Sequence, residues 1–282
     1  MQTVTSMPDE HEIKRFRATV YCHYEAHGRD FPWRHTTDPY HILVAEIMLQ
    51  QTQTGRVVTK YEEFLRRFPG FESLAAAAAV DVLQAWQGLG YNRRALALQT
   101  IARRVCADFD GMLPIDKETL RSFPGIGEYT AAAIRAFAHN LPEAFIETNI
   151  RTVFIHEFFP NACGVTDREI LTLVELTLDR AAPRRWYQAL MDYGAMLKES
   201  GNPSRRSTHH RRQPPFEGSR RQARGQILRT LLQTGPAALS ELVAVIPGWD
   251  NRFDAALETL VTDGLVQRQD QTVSIVIERG TG

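Results

Sequence analysis

Apolar residues recur at helical spacing along most of this chain. Ile13, Phe16, Val20 and Tyr24 fall near one face of residues 11–27, with charged residues on the others. Pro39 opens a second helix over 40–54, whose first two-thirds is almost wholly apolar. Further helices are predicted over 56–68, 73–79, 82–87, from Asn92 to about 109, over 129–138, 150–159, 167–178 and 186–198. No series of alternating strands interrupts them, so the main part is expected to be an all-helical assembly. The pattern restarts at Gly225 as a smaller module. Three helices, over 226–233, 239–245 and 252–263, precede two short strands around Gln269-Asp270, the order of a winged helix. The expected fold class is therefore mainly α: a two-part helical core over 1–200, with interleaved subdomains, a linker over 201–224 and a winged-helix-like module over 225–282.

Two glycine turns punctuate the core. Gly88-Leu89-Gly90-Tyr91 places an aromatic at the tip of a tight turn, followed by Arg93 and Arg94. Pro124-Gly125-Ile126-Gly127 joins two apolar-patterned segments as a helix-hairpin-helix. Such a hairpin directs backbone N–H groups of Gly125, Gly127 and the next helical turn, which includes Thr130, toward one phosphate of a nucleic-acid backbone. A plain interhelical turn is the alternative.

Charge adds one local feature. The 282 residues carry 33 basic and 33 acidic side chains, so overall balance gives no argument for nucleic acid. Residues 202–224, however, hold seven arginines and one acid, Glu217. Arg205, Arg206, Arg211, Arg212, Arg220 and Arg221 could track a phosphate backbone, with a solvated linker as the alternative. His209 and His210 lack a spaced set of partners and are not expected to bind metal. Three scattered cysteines suit neither a disulfide framework nor a cysteine-rich metal site, and suggest a reducing compartment. No leader pattern and no apolar run near the ~18 residues of a membrane span are visible. A cytoplasmic, monomeric protein is expected.

Glu46 stands out chemically. It interrupts the apolar helix, where a carboxylate needs a partner, Arg34 for instance, or else acts as a proton donor with a raised pKa. Gln50 and Gln51 end that helix in a polar edge that could cap it or touch bases. Glu147-Thr148-Asn149 follows the hairpin at a fixed distance, setting a second carboxylate beside a bound backbone.

Together FPWR (31–34), DPY (38–40), AEIMLQQTQT (45–54), GLGYNRRA (88–95), LRSFPGIGEYTAAAI (120–134), ETNIRTV (147–153) and MDYGAM (191–196) resemble the helix-hairpin-helix DNA glycosylases, and among them the MutY-type adenine glycosylases. The resemblance covers about residues 30–196. It implies that Glu46 protonates the leaving base and that Glu147, at a position where the family has aspartate, stabilises the positive sugar. The extra methylene moves that carboxylate by about 1.5 Å if the backbone is unchanged. It also implies that Gln51 and Tyr91 enter the duplex around a flipped nucleotide, that Asn149 is the asparagine following the catalytic acid, and that Arg34 and Tyr129 support the pocket. Tyr129 stands where lyase-competent relatives carry a lysine, so hydrolysis without strand cleavage is implied.

Two departures accompany the resemblance. Four cysteines commonly hold a [4Fe-4S] cluster after the MDxGAM segment; here the first three positions are Lys198, Arg205 and Thr208, with a fourth near Pro214. No cluster or other cofactor is expected, although a monovalent cation could sit at the hairpin. The tail is also shorter than the Nudix-like domain that reads the opposite base. The function implied is a monofunctional glycosylase acting on a base flipped from duplex DNA, with mispaired adenine first. Hypoxanthine or an altered pyrimidine is an alternative substrate, and lesion binding without catalysis is an alternative role.

Overall fold

A computed structural model describes residues 7–209 and 215–276. In chain order the helices are α1 (Glu10–His27), α2 (Pro39–Leu49), α3 (Thr54–Arg67), α4 (Phe71–Ala76), α5 (Ala79–Ala85), α6 (Arg93–Asp108), α7 (Lys117–Arg121), α8 (Glu128–His139), α9 (Thr148–Phe158), α10 (Asp167–Thr177), α11 (Pro183–Ser200) and α12 (Arg220–Thr234). Strand β1 (Ala237–Ala238), helices α13 (Leu239–Val245) and α14 (Asn251–Thr262), and strands β2 (Val266–Gln269) and β3 (Thr272–Ile275) complete the described chain. Short 3-10 turns occupy Pro32–Arg34 and Pro203–Arg206.

Contacts group the chain into two compact units. One comprises residues up to Leu43, Ile115–Ser122 and Ile126–Arg212; the other comprises Val44–Pro114, Phe123–Gly125 and the stretch from Gln213 onward. The module beyond the basic segment thus groups with the helices of Val44–Pro114.

In the first unit α11 lies against both α9 and α1. Phe16 meets Phe154, Phe158 and Trp186 there edge to face, with centroids 5.0–5.6 Å apart. Asp9 caps α1 in a capping box with Glu12, and Thr166 caps α10 in the same way with Glu169. Arg151 reaches from α9 to both carboxylate oxygens of Asp167, at 2.7 Å each, locking α9 to α10. A bidentate pair of this kind fixes orientation as well as distance.

In the second unit α4 packs on α6 and α3 on α5, burying Phe64, Trp86 and Leu98 completely. The C-terminal module is a winged helix: α12 packs on α14, and the sheet order is β1-β3-β2, all antiparallel, with Val266 opposite Ile275 and Ala237 opposite Val273. Ala223, Ile227, Leu228, Leu231, Phe253, Leu257 and Leu260 form its small core. α12 begins at Arg220, five residues before the expected restart, because Ser219 caps the helix by accepting from the Gln222 N–H. Arg220, Arg221 and Arg224 are therefore helical. The strand Ala237–Ala238 was not expected, since two alanines carry no strand pattern.

Candidate active site and nucleic-acid interface

Glu46 lies in α2 with only 6% of its surface exposed, among Ile42, Leu43, Val44, Ala45, Ile47 and Met48, each 4% exposed or less. Burying a carboxylate among such neighbours is costly unless it is paired or hydrogen-bonded. Arg34, considered as its partner from sequence, has a different one. Its guanidinium donates to both oxygens of Asp192 at 2.8 and 2.7 Å and to the Arg29 carbonyl at 2.6 Å. Arg29 adds its Nε and backbone N–H to the same carboxylate. Burial alone would raise the Asp192 carboxyl, but Arg34 and Arg29 outweigh it and hold it below the usual range. Asp192, at 2% exposure, is a hub that composition and spacing did not reveal. A buried carboxylate met by two arginines orders the turn that carries Phe31, Trp33 and Arg34.

The C-terminal end of α2 is riveted by Arg94. Its guanidinium donates to the carbonyls of Ile47 (2.8 Å), Met48 (3.1 Å) and Gln50, to the Thr52 hydroxyl (3.0 Å), and to the carbonyls of Leu89 (3.3 Å) and Gly90 (3.1 Å). Helix-end carbonyls lack partners within the helix, and one planar cation here serves several of them at once. Burial lowers Arg94 to about 10, which leaves it charged at neutral pH. Arg94 is thus occupied by backbone rather than turned to a phosphate. The two tips it joins are Gln51 and Tyr91, both held in left-handed backbone conformation, φ +56° and +47°. Each side chain is exposed, and non-glycine residues in this region mark positions where geometry is imposed. The Trp86 indole N–H donates to the Gly90 carbonyl at 3.1 Å, fixing the turn before Tyr91. Gln50 donates its amide to the Gly125 carbonyl at 3.1 Å, tying the same edge to the hairpin.

At the hairpin, Gly125 adopts φ +80° and a Cβ there would lie 3.5 Å from the Ala97 side chain. Gly127 is the N-cap of α8, and both glycines are exposed. The first-turn N–H groups of α8 point out of the helix start, as anion binding requires. The Thr130 side chain is in the core, 3% exposed, which leaves its backbone, the part named from sequence, as what can face an anion. Tyr129 packs edge-on against Phe145, 5.6 Å between centroids, and Phe145 stacks on Tyr187 at 3.9 Å. No primary amine stands at position 129.

Glu147 is the N-cap of α9. Its Oε1 accepts from the N–H groups of Asn149 and Ile150 at 2.7 and 2.8 Å, and its Oε2 from the Asn149 amide at 3.2 Å. Three donors and a helix N-terminus are the surroundings of an anion. Lys198 donates to Asn149 Oδ1 at 2.7 Å.

The arginines of the basic segment divide by environment. Arg206 donates to the carbonyls of Ile155, Phe159, Pro160 and Ala162, closing the end of α9, so it too is engaged by backbone. Arg205 and Arg220 are exposed. Arg221 donates to the Tyr91 hydroxyl at 3.3 Å, and exposed Arg93 reaches Asp263, which also pairs with Arg224 at 2.7 Å. These contacts pin the winged helix beside the Tyr91 turn. Arg211 and Arg212 lie outside the described residues. Lys198, Arg205 and Thr208 offer no thiolate for an iron-sulfur cluster; Cys22, Cys106 and Cys163 stand elsewhere as free thiols. Among the described residues no group of three or more His, Cys, Asp or Glu converges as a metal site. None of the described helices is long and apolar enough to cross a membrane.

The helical fold carries the glycine hairpin and the two carboxylates on which the sequence resemblance to DNA glycosylases rests. Residues 44–189 match the HhH-GPD superfamily of base excision DNA repair proteins, and the chain belongs to that family. It is 33% identical to the adenine DNA glycosylase of Mycolicibacterium smegmatis, over 92% of this chain and 95% of that one. It is 30% identical to a thymine/uracil-DNA glycosylase of Methanothermobacter thermautotrophicus, over 65% of this chain and 85% of the relative. Among solved structures it is similar to a thermostable thymine-DNA glycosylase, with a TM-score of 0.59, 28% identity, and coverage of 66% of this chain and 87% of the other. The protein is a DNA glycosylase that hydrolyses the N-glycosidic bond of a damaged or mismatched base.

Proposed function

We propose that the base removed is adenine in a mismatch, with Glu46 as general acid and Glu147 as the anion that stabilises the sugar. The observation that carries the chemistry is Glu46 itself, a carboxylate 6% exposed in a mostly apolar helix. Adenine is a poor leaving group until protonated, and a desolvated glutamic acid is suited to supply that proton. The sugar then develops oxocarbenium character, which a preorganised carboxylate stabilises. Glu147 meets that need because two backbone N–H groups and one amide fix it in place before any substrate arrives. Water adds to the sugar, leaving an abasic site and free base. The absence of an amine at position 129 fits hydrolysis without a Schiff base there.

Similarity to the Mycolicibacterium enzyme over 92% of this chain supports the adenine reading. The thymine/uracil relative supports a second reading, removal of a pyrimidine. Single-turnover excision on a panel of duplexes separates them, each carrying adenine, hypoxanthine, thymine or uracil opposite varied bases. Release of adenine from a mismatch faster than of any pyrimidine supports the first. The Glu46→Gln variant is expected to keep duplex binding and lose excision, because an amide cannot donate the proton. Near wild-type excision in that variant would refute the acid role, and tight lesion binding without base release by the wild-type chain would refute catalysis.

A further inference from the structure

The last turn of α11 holds a cation that the chemistry above leaves unused. Gly194 is where α11 meets α9 backbone to backbone: a Cβ there would lie 2.3 Å from the Asn149 carbonyl oxygen. Residues four apart share a helix face, so this close approach also carries Lys198 along the first turn of α9. There its Nζ donates to Asn149 Oδ1 at 2.7 Å, and Asn149 Nδ2 donates to Glu147 Oε2 at 3.2 Å.

We propose that Lys198 is a positioning residue for Glu147, acting by fixing which edge of the Asn149 amide faces the carboxylate. The proposal rests on the assignment of Glu147 to the sugar. An ammonium accepts no hydrogen bond, so only the amide oxygen can face it, and the NH2 must then turn to Glu147. Without the cation the amide oxygen loses its anchor, and the amide is held at Glu147 by its NH2 alone. The position is also the one where resembling glycosylases place their first cluster cysteine. A lysine there cannot ligate iron, but it links α11 to the catalytic carboxylate through one amide.

The ionisation of Lys198 offers a readout that mere packing would not move. Burial lowers it; Glu147 opposes this, while Arg151 on α9 and Arg29 after α1 lower it further. Asp167 pairs with Arg151 and Asp192 with Arg29, so both arginine charges are partly balanced. A cation with a lowered pKa loses its proton, and with it the amide's orientation, as pH rises below the usual lysine range. Arginine in its place keeps its charge there.

The test uses the full chain with Lys198→Met and Lys198→Arg, on the duplex that the wild type processes fastest. Single-turnover rates are measured from neutral to alkaline pH, with affinity for an uncleavable duplex and the Asn149 side-chain amide signal by NMR. Lys198→Met is expected to slow excision on the order of 10- to 100-fold, with affinity changed by no more than about threefold. Its Asn149 signal should also shift. Lys198→Arg should recover most of the rate and extend activity to higher pH. Met and Arg variants equally slow, an unmoved Asn149 signal, or an alkaline limb unchanged in Lys198→Arg would overturn the role of Lys198. Wild-type excision by Glu147→Gln would instead refute the sugar-facing assignment, whatever the Asn149 signal does.

Discussion

Replacing Arg94 by methionine tests whether the rivet between the α2 end and the Tyr91 turn is structural or faces DNA. Methionine keeps much of the stem's packing and removes every donor. The carbonyls of Ile47, Met48 and Leu89 belong to residues 0–3% exposed, so they are the ones that water is least able to serve. The carbonyls of Gln50 and Gly90 belong to residues closer to solvent and can be rehydrated. Each buried acceptor left unpaired costs about 1–3 kcal/mol. Relief from burying a guanidinium offsets part of that sum, leaving an expected loss of about 3–5 kcal/mol. Urea unfolding followed by circular dichroism measures it, with Arg94→Lys falling between because an ammonium has three donors and no fork. The second readout is the salt dependence of duplex affinity. Removing a cation that neutralises a phosphate would flatten the log–log slope by about 0.9, whereas removing a carbonyl-bound arginine leaves the slope unchanged. A stability loss under about 1 kcal/mol together with a flattened slope would refute the rivet and return Arg94 to the DNA face.

Two further variants probe what holds the carboxylates in place. Gly194→Ala should force α11 away from the first turn of α9, since the blocking atoms are the backbone of Asn149; a destabilisation of about 1–3 kcal/mol with slowed excision is expected in urea unfolding and single-turnover assays, and an unchanged rate would show that the close approach does not serve Glu147. Asp192→Asn strands Arg34 and Arg29 and should cost about 3–5 kcal/mol at neutral pH. Because the folded pKa of Asp192 is depressed, its contribution is complete above the unfolded carboxylate pKa and is lost as pH falls through the folded value. The wild-type and variant urea midpoints should converge toward acid, and a gap independent of pH would place the stabilisation elsewhere.

What could be read from the chain, and what could not, follows from the range of the interactions. The hairpin, the lone acid in α2 and the module's third helix are local: glycine punctuation and apolar spacing determine them within a dozen residues. Arg34 was beyond that reach, because its partner Asp192 lies 158 positions away. So was Lys198, whose placement depends on Gly194 letting two distant helices touch. The arginines show the same limit more sharply. A run of basic residues in a net-neutral chain reads as one surface, yet Arg206 closes a helix end while Arg205 beside it is exposed. Arg93 and Arg94 divide in the same way. Guanidinium groups are chosen for carbonyl-rich helix ends and for phosphates by the same donor geometry, so composition cannot separate the two uses. Burial can: the arginines occupied by backbone hold the loops still, and their exposed neighbours remain the candidates for neutralising DNA. The salt slope of duplex affinity should therefore respond to Arg93, Arg205 and Arg220 but not to Arg94 and Arg206, which makes local geometry, rather than the count of basic residues, the measure of the interface.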